Sequence, residues 1–365
     1  MNILVACDSF KDALPADAVC RAIAAGLKKS HPGATVTQMP LSDGGEGLLD
    51  VLGQALDLGW IEKQVADPLG RTVTARYGLS ADGVTAVVEM ARASGLQLLS
   101  QEERDPRLTS TFGTGALLAD ARARGARHAL LAIGGSATND AGIGAAAALG
   151  WGFLDSNGKP VTLDGGHVKD IAKLVSAPPP FEKMDVLCDV TNPLFGPTGA
   201  AWIYGRQKGG SDTVLAELDD GLKHLAALVK AQLGRDVADM PGAGAAGGLG
   251  YGAVAFLGAE FRRGIEVVLD MTKFDAAARA ADLIITGEGH LDGQSAQGKL
   301  IQGLCGRSNG TPVIAFCGKL SASPQQVAEI GLKAAYLINT EERPLVEMLA
   351  NTAVNLEKTA AALSI

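Results

Sequence analysis

The feature that most constrains this fold is a recurring unit: a short apolar run, a glycine-rich polar turn, and then a segment with helical spacing. At the start of the chain, residues 2–9 and 35–39 are apolar runs that end in polar turns, and helical patterns follow over 16–29 and 48–55. Alternation of buried strands with helices is typical of a doubly wound parallel sheet. The same alternation returns near the end of the chain, with strands predicted over residues 282–286, 312–317 and 334–339 and a helix over 345–363.

The middle of the chain follows a different pattern. A β-hairpin is predicted over residues 73–91, around a turn at 80–83. Further predicted elements are helices over 115–124, 141–149 and 214–233 and strands over 128–133 and 185–189.

These patterns predict a two-domain α/β protein. Its first domain is discontinuous and Rossmann-like, with a doubly wound parallel sheet built from residues 1–65 and 281–365; a mixed α/β domain is inserted at 66–280. Because parallel sheets bind ligands beyond the carboxyl ends of their strands, we expect the site in the cleft between the domains.

Charge and cysteine content narrow the classes of partner. The formal net charge of −8 at pH 7 disfavours nucleic acids and anionic membrane surfaces. The five cysteines are scattered and never stand in CxxC spacing, so neither a disulfide framework nor a zinc site is expected. Charges close to the N-terminus and the shortness of the longest uncharged stretch, 141–154, predict no signal peptide and no membrane span. We therefore expect a cytoplasmic protein.

Acidic residues stand in glycine-rich turns at the ends of predicted strands. They are Asp8, Asp43, Glu46, Asp189, Glu288 and Asp292. Each alone is explained by the preference of aspartate and glycine for turns, but their recurrence at strand ends favours a shared chemical role. Glycine lets the backbone approach a ligand closely, and a neighbouring carboxylate can hold Mg²⁺.

Phosphoryl transfer needs donors for phosphate oxygens, a cation for developing charge, and a group that orients or deprotonates the acceptor hydroxyl. Residues 134–140 join a predicted strand to a helix, where backbone N–H groups suit an anion, and 109–115 are a second candidate of the same kind. Lys11 is a candidate cation, although a lone lysine is more often a solvated surface charge. The predicted nucleotide- or phosphate-binding residues are Gly134, Gly135, Ser136, Thr138, Asn139, Lys208 and Lys299.

Two familiar patterns in the chain do not fit their usual context. Residues 242–247 match GxGxxG, but they follow Met240-Pro241 with no preceding strand, which argues against a dinucleotide site. Residues 293–299 approach a P-loop, yet Leu300 stands where a Ser or Thr would bind Mg²⁺. Among the histidines, His290 alone lies in an acidic strand-end loop, where a structural or solvated role is the simpler reading.

Short segments spread over nearly the whole chain carry a resemblance to a known family. They are residues 8–11, 40–47, 67–71, 89–96, 134–140, 188–193, 207–209, 241–250 and 286–299. In this order they resemble the bacterial glycerate kinase family that forms 2-phosphoglycerate in glycerate and sugar-diacid catabolism. The resemblance implies ATP as co-substrate with Mg²⁺, D-glycerate as acceptor, and two domains with the site between them.

The roles of single residues are hypotheses from the chemistry of these motifs. Lys11 is predicted to stabilise the transferring phosphate, and Asp189, or else Asp43, to orient or deprotonate the acceptor hydroxyl. Glu288 and Asp292 are predicted to hold Mg²⁺. The predicted substrate-binding residues are Asp8, Ser9, Arg71, Ser94 and Gly95, with the Arg71 guanidinium fork paired to the glycerate carboxylate.

Other interpretations stay open at this point. The chain could phosphorylate a related small hydroxy acid such as tartronate, or it could be a catalytically silent protein that binds a sugar acid. Small molecules are the expected partners in each case, and the protein is expected to be a monomer or a homodimer.

Overall fold

A computed structural model describes residues 1–43, 48–291, 299–341 and 343–364, without the side chain of Lys299. The chain forms two compact units. Unit 1 comprises Met1–Leu56 and Arg263–Ile365, and unit 2 comprises Asp57–Arg262. Both combine sheets with helices, which confirms the predicted α/β class.

The strands of the described residues are β1 (Asn2–Val5), β2 (Thr35–Gln38), β3 (Gly59–Ala66), β4 (Thr72–Leu79), β5 (Thr85–Glu89), β6 (His128–Ala132), β7 (Gly152–Leu154), β8 (Lys173–Val175), β9 (Lys183–Leu187), β10 (Glu260–Arg262), β11 (Leu283–Leu291), β12 (Val313–Leu320) and β13 (Ala334–Leu337).

The helices are α1 (Ala16–Ser30), α2 (Leu48–Ala55), α3 (Ala91–Ser94), α4 (Phe112–Ala123), α5 (Ile143–Ala148), α6 (Ala200–Tyr204), α7 (Asp212–Leu233), α8 (Ala245–Leu257), α9 (Gly264–Met271), α10 (Phe274–Ala280), α11 (Lys299–Gly306), α12 (Pro324–Ile330), α13 (Leu345–Ala350) and α14 (Thr352–Ala361). Short 3-10 helices occur at Leu96–Leu98, Gly165–Asp170 and Arg206–Lys208.

Unit 1 is built on a parallel five-stranded sheet with the order β13-β12-β11-β1-β2. The apolar runs that predicted its central strands are buried, as in Ile3–Val5 and Ile284–Ile285, because helices cover such a sheet on both faces. On one side α1 packs against α14, where a Cβ on Gly26 would overlap the Glu357 carbonyl oxygen. Only glycine allows the two helices to approach so closely.

Unit 2 contains a six-stranded mixed sheet with the order β10-β9-β6-β5-β4-β3. Strands β5, β6, β9 and β10 run parallel to one another. Strand β4 pairs antiparallel with β3 on one side and with β5 on the other. The predicted hairpin is confirmed: β4 and β5 pair around a turn in which Gly83 N donates to the Ser80 carbonyl at 2.7 Å. Strands β7 and β8 form a separate antiparallel pair.

The helices of unit 2 enclose its core. The predicted helix over 214–233 is confirmed as α7, which begins after a Ser211 cap and ends at Gly234, whose φ of +68° favours glycine. Helices α4 and α5 pack so closely that a Cβ on Gly115 would overlap the Ala145 carbonyl oxygen.

The unit boundaries fall earlier in the chain than the predicted 65/66 and 280/281. Strand β3 pairs with β4 along its whole length and therefore belongs to unit 2. Helices α9 and α10 lie after the second boundary and pack with α11 and β1 of unit 1. Because β3 is mostly exposed, its sequence lacks the apolar run that marks a buried strand.

The described residues include all the cysteines and can be searched for helices long enough to span a membrane. All five cysteines are free thiols. No helix in the described ranges has both the length and the apolar character needed to cross a bilayer.

Candidate functional site

In unit 1, the strand order places a switch point between β1 and β11. From β1 the chain proceeds to β2 on one side, while β11, β12 and β13 follow on the other. Ligands of open parallel sheets bind beyond the carboxyl ends of strands at such a point. Asp8 and Glu288 each lie three residues beyond a paired position, Val5 and Ile285 respectively. The switch point therefore carries two of the acidic residues singled out from the sequence.

Asp8 is a carboxylate of this region whose pKa is perturbed. Its Oδ1 accepts hydrogen bonds from Ser9 N at 2.6 Å and Ser9 Oγ at 3.3 Å. Burial, followed by the nearby negative charge of Asp43, raises the pKa of Asp8 to about 6, against the opposing effects of Ser9 and Lys11. Asp8 is therefore a carboxylate whose protonation changes close to neutral pH.

Asp43 comes close to Asp8 because β1 and β2 continue side by side beyond their ends. Leu41 N donates to the Cys7 carbonyl at 2.9 Å. Cys7 directly precedes Asp8, and Leu41 stands two residues before Asp43. The remaining members of that predicted motif, residues 44–47 with Glu46, lie outside the described residues.

Lys11 stands exposed at the tip of a locked turn. Phe10 N donates to the Leu14 carbonyl at 2.8 Å, and Leu14 N donates to the Phe10 carbonyl at 2.9 Å. Buried Phe10 anchors the turn beside Gly287, where an added Cβ would lie 3.3 Å from the ring. The turn thus presents a lysine ammonium on a fixed backbone near Asp8.

Strand β11 carries a polar end next to this turn. The charge of Glu288 contributes to a raised pKa of Cys317, the residue it pairs with on β12, although burial of the thiol is the larger cause. His290 Nε2 lies 2.9 Å from Ser321 Oγ. Asp292 lies outside the described residues, and for Lys299 the structure gives only its place at the start of α11.

In unit 2, the structure brings two predicted segments together at the ends of β5 and β6. Ala137 N donates to the Ser94 carbonyl at 3.0 Å, and Leu96 N donates to the Gly135 carbonyl at 2.9 Å. Within the loop, Gly134 and Gly135 are exposed and Ser136 is 8% exposed. The open surface of the predicted anion site is therefore Gly134 and Gly135, with Ser136 at its inner edge.

The second predicted anion segment, 109–115, supports this loop from below. Thr109 Oγ1 donates to the Ala137 carbonyl at 3.1 Å, and Thr114 Oγ1 donates to Ser94 Oγ at 2.8 Å. Thr111 donates to Asp140 Oδ2 through both N, at 2.8 Å, and Oγ1, at 2.7 Å. Burial nonetheless raises the pKa of Asp140.

Thr138 and Asn139 lie deeper than the predicted phosphate contact requires. Both are fully buried, and Thr138 Oγ1 and both polar atoms of the Asn139 amide have no hydrogen-bond partner among the described residues. Lys208 is only 1% exposed, and its Nζ donates to the Thr138 carbonyl at 2.7 Å. Desolvation lowers the pKa of Lys208 to about 7, opposed by the charge of Asp140. The lysine therefore braces the loop from inside the unit.

Arg71 is engaged by acidic neighbours of its own unit. Its Nε donates to Asp67 Oδ2 and its Nη1 to Glu103 Oε1, both at 2.6 Å, and Nη2 donates to the Leu98 carbonyl at 3.3 Å. A glycerate carboxylate would have to compete with these partners for the fork, which the sequence pattern alone did not reveal.

Asp189 follows β9, the neighbour of β6. Ala132 pairs with Leu187, so Asp189 and Gly134 both stand two residues beyond the same register position. Asp189 is half-buried there. The structure thus brings this predicted base to the same sheet end as the 134–136 surface.

The GxGxxG match at 242–247 has a structural explanation. Ala246, Gly247 and Gly248 have left-handed φ angles of 54°, 66° and 86° and interrupt α8. A Cβ on Gly247 would overlap the Thr138 carbonyl oxygen. The glycines therefore allow close packing on the 134–140 loop.

The donor set of unit 1 suits Mg²⁺ in chemical type. Among the described residues no three His, Cys, Asp or Glu side chains form a metal-binding group. Mg²⁺ commonly uses one or two carboxylates together with substrate phosphates and water, so Glu288 with one aspartate supplies the hard oxygen donors it prefers.

Sequence reasoning missed one charged residue at this sheet end. Lys319 is exposed near the end of β12 and pairs in register with His290. Its place after a predicted strand was the signal that could have identified it.

Acidic and glycine-rich loops at the carboxyl ends of parallel strands, in two α/β units, define the class of an α/β enzyme that acts on small molecules. Comparison with protein-family models matches residues 3–364 to "Glycerate kinase family". The chain belongs to this family, whose members are kinases, phosphotransferases that act on an alcohol group.

Individual relatives agree with this assignment. The chain is 45% identical to a glycerate kinase of Halalkalibacterium halodurans over 92% of this chain and 90% of the relative. It is 41% identical to glycerate 2-kinase of Escherichia coli over 93% and 91%. A crystal structure from Salmonella typhimurium LT2 that carries the name glycerate kinase 2 superposes with a TM-score of 0.88 at 38% identity, over 99% of this chain and 96% of that one.

Proposed function

We propose that this chain transfers the γ-phosphoryl group of ATP to D-glycerate and forms 2-phosphoglycerate. One observation carries the proposal: Lys11 and Asp8 stand at the switch point of a parallel sheet in a chain that is 41% identical to a glycerate 2-kinase over 93% of its length. A cytoplasmic location, where thiols stay reduced, fits its five free cysteines.

In this proposal Lys11 neutralises charge on the transferring phosphoryl group. Phosphoryl transfer is catalysed mainly by positioning and electrostatic stabilisation, so a cation on a rigid turn is more useful than one on a mobile loop. The paired backbone hydrogen bonds between Phe10 and Leu14 supply that rigidity.

Asp8 is proposed as the group that accepts the proton of the acceptor hydroxyl. With a pKa of about 6 it is mostly ionised at neutral pH and still basic enough to take a proton. Asp189 remains the sequence-based candidate for this step, and in unit 2 we assign it the alternative task of orienting the glycerate hydroxyls. Comparison of Asp8→Asn with Asp189→Asn separates the two roles.

Glu288 and Asp43 are proposed to hold Mg²⁺, with Asp292 as the further ligand predicted from the sequence. The ion would neutralise phosphate charge and so lower the barrier to attack by an alcohol. The chain's own contribution is to keep the carboxylates at one sheet end.

In unit 2, the exposed backbone of Gly134 and Gly135 and the side chain of Ser136 are proposed to bind an anionic group of a substrate. The hydrogen bonds from Ala137 N to the Ser94 carbonyl and from Thr109 Oγ1 to the Ala137 carbonyl hold this stretch in place. Ser94 itself is fully buried and its carbonyl accepts a hydrogen bond from Ala137 N, so we propose that it positions the loop.

The decisive test is incubation of the pure protein with ATP, Mg²⁺ and D-glycerate, followed by phosphorus NMR of the product. We expect 2-phosphoglycerate and an equal amount of ADP. Preferential turnover of tartronate would assign another hydroxy acid. Binding of glycerate without ADP formation would refute the kinase proposal.

A further inference from the structure

Unit 1 contains a cavity of about 680 Å³ beside the last strand of its sheet. Its walls are the end of β13 with the following loop, α13 and the exposed side of α14. The volume lies in the range of small-molecule sites. The residues assigned above to catalysis and phosphate binding do not line it, so its occupant has still to be identified.

A relay of two amides gives this cavity a defined hydrogen-bonding character. Asn339 Nδ2 donates to the Gly318 carbonyl at 2.8 Å, and because a carbonyl can only accept, Asn339 must present its Oδ1 to Asn355. Asn355 Nδ2 donates to that oxygen at 2.9 Å. Asn355 Oδ1 is left as an acceptor with no donor among the described residues, on a side chain that lines the cavity. It suits a ligand with an amino group.

Another wall of the cavity is aromatic and apolar. Tyr336 packs edge-on against Phe316, with ring centroids 5.9 Å apart and an interplanar angle of 90°, yet it remains 39% exposed. Leu337 and Val354, which are 40% and 49% exposed, are further apolar lining. A fixed and open aromatic side chain between apolar neighbours offers packing surface for a flat heterocycle.

The cavity lies at the same sheet end as the switch point. From β13 to β1 the sheet spans three strand spacings, about 14 Å at the usual separation. Lys319, at the end of β12, stands between the cavity and the Lys11 turn. This distance is on the scale of a nucleoside triphosphate, and the basic residue lies where its phosphates would pass.

We propose that this cavity binds the adenine ring of ATP, with Asn355 Oδ1 accepting a hydrogen bond from the exocyclic amino group and Tyr336 packing against the ring. The inference rests on the proposed function, because it names the site for the donor nucleotide of that reaction. It assigns adenine recognition to unit 1 and leaves the 134–136 stretch of unit 2, in which Gly134 and Gly135 are exposed, for an anionic group of a substrate.

The test compares ADP and IDP binding by calorimetry, since inosine has a carbonyl oxygen where adenosine has the amino group. Asn355→Ala is expected to weaken ADP binding about fivefold, the cost of one hydrogen bond, with IDP binding unchanged. Tyr336→Ala is expected to weaken both nucleotides about tenfold. Gln325→Ala, an exposed amide of α12 outside the cavity, is the matched control and should bind both like the wild type.

Kinetics and a second kind of variant complete the test. In a folded and active enzyme, Asn355→Ala should raise KM for ATP and leave KM for glycerate unchanged. Val354→Trp, which fills the cavity from an exposed position, should weaken ADP binding even if Asn355→Ala proves unstable. Unchanged ADP affinity in Val354→Trp and Tyr336→Ala would overturn the cavity proposal while leaving the kinase assignment intact. If ADP binding depends on these residues but no 2-phosphoglycerate forms, the cavity proposal stands and the proposed reaction fails.

Discussion

Replacement of Lys208 by Met should make the stability of unit 2 respond differently to pH. In the folded protein Lys208 is buried beneath the 134–140 loop, and desolvation lowers its pKa to about 7 from an ordinary value of 10.5. Between these values the unfolded chain binds more protons than the folded chain. The free energy of unfolding therefore rises with pH in this window, because the cost of burying a charged ammonium disappears as the folded lysine loses its proton.

The magnitude follows from the two pKa values. Between pH 7 and pH 9 the lysine contributes about 2 kcal/mol of added stability. Met keeps the apolar stem and removes the titration, although it leaves the Thr138 carbonyl without its 2.7 Å donor. The stability difference between wild type and Lys208→Met should thus shift by about 2 kcal/mol in favour of the wild type over this range.

The assay is denaturant unfolding followed by tryptophan fluorescence at pH 7 and pH 9. All three tryptophans, Trp60, Trp151 and Trp202, lie in unit 2, so the signal reports that unit. The same pair of proteins with Asp140→Asn controls for the neighbouring carboxylate. A stability difference between wild type and variant that stays constant, or that moves in favour of the variant toward pH 9, would refute the assignment of a desolvated lysine.

Three further outcomes are expected. The wild-type kcat/KM should fall as the pH drops through about 6, because Asp8 must be ionised to accept a proton. Asp8→Asn should lower kcat/KM and abolish this fall at acidic pH. Lys11→Met should lower kcat about 10²-fold with no change in melting temperature, because Lys11 is exposed; an unaltered kcat excludes it from phosphoryl stabilisation. Arg71→Met should lower the melting temperature slightly while KM for glycerate changes less than twofold, since its fork is held by Asp67; a tenfold rise in KM would restore the predicted carboxylate clamp.

The outline of the fold could be predicted because parallel strands and their turns leave local marks. The apolar runs of β1, β11 and β12 and the turn at 80–83 are signals of a few neighbouring residues. Strand β3 left no such mark, because most of its side chains are exposed. The inserted region was therefore predicted to begin too late.

The sequence could predict site residues only where they follow a predicted strand. Asp8 and Asp43 were found because each follows a strand, and Glu288 because it follows the predicted strand 282–286, although β11 continues through it to Leu291. The closeness of Asp8 and Asp43 depends on which strands are neighbours. The burial of Lys208 was invisible for the same reason, since nothing in a local pattern shows that an ammonium lies beneath a loop seventy residues away. Contacts between distant segments decide such environments.

The split of unit 1 between the two ends of the chain has a consequence for synthesis on the ribosome. Strand β1 is flanked by β2, which is made at once, and by β11, which begins only at Leu283. At about 5–20 residues per second, the partner strand follows after roughly 15–60 seconds. Unit 2 is complete in the nascent chain during that interval, while Ile3, Leu4 and Val5 still lack the neighbour that buries them. We expect these residues to be the segment that chaperones shield until β11 has been synthesised.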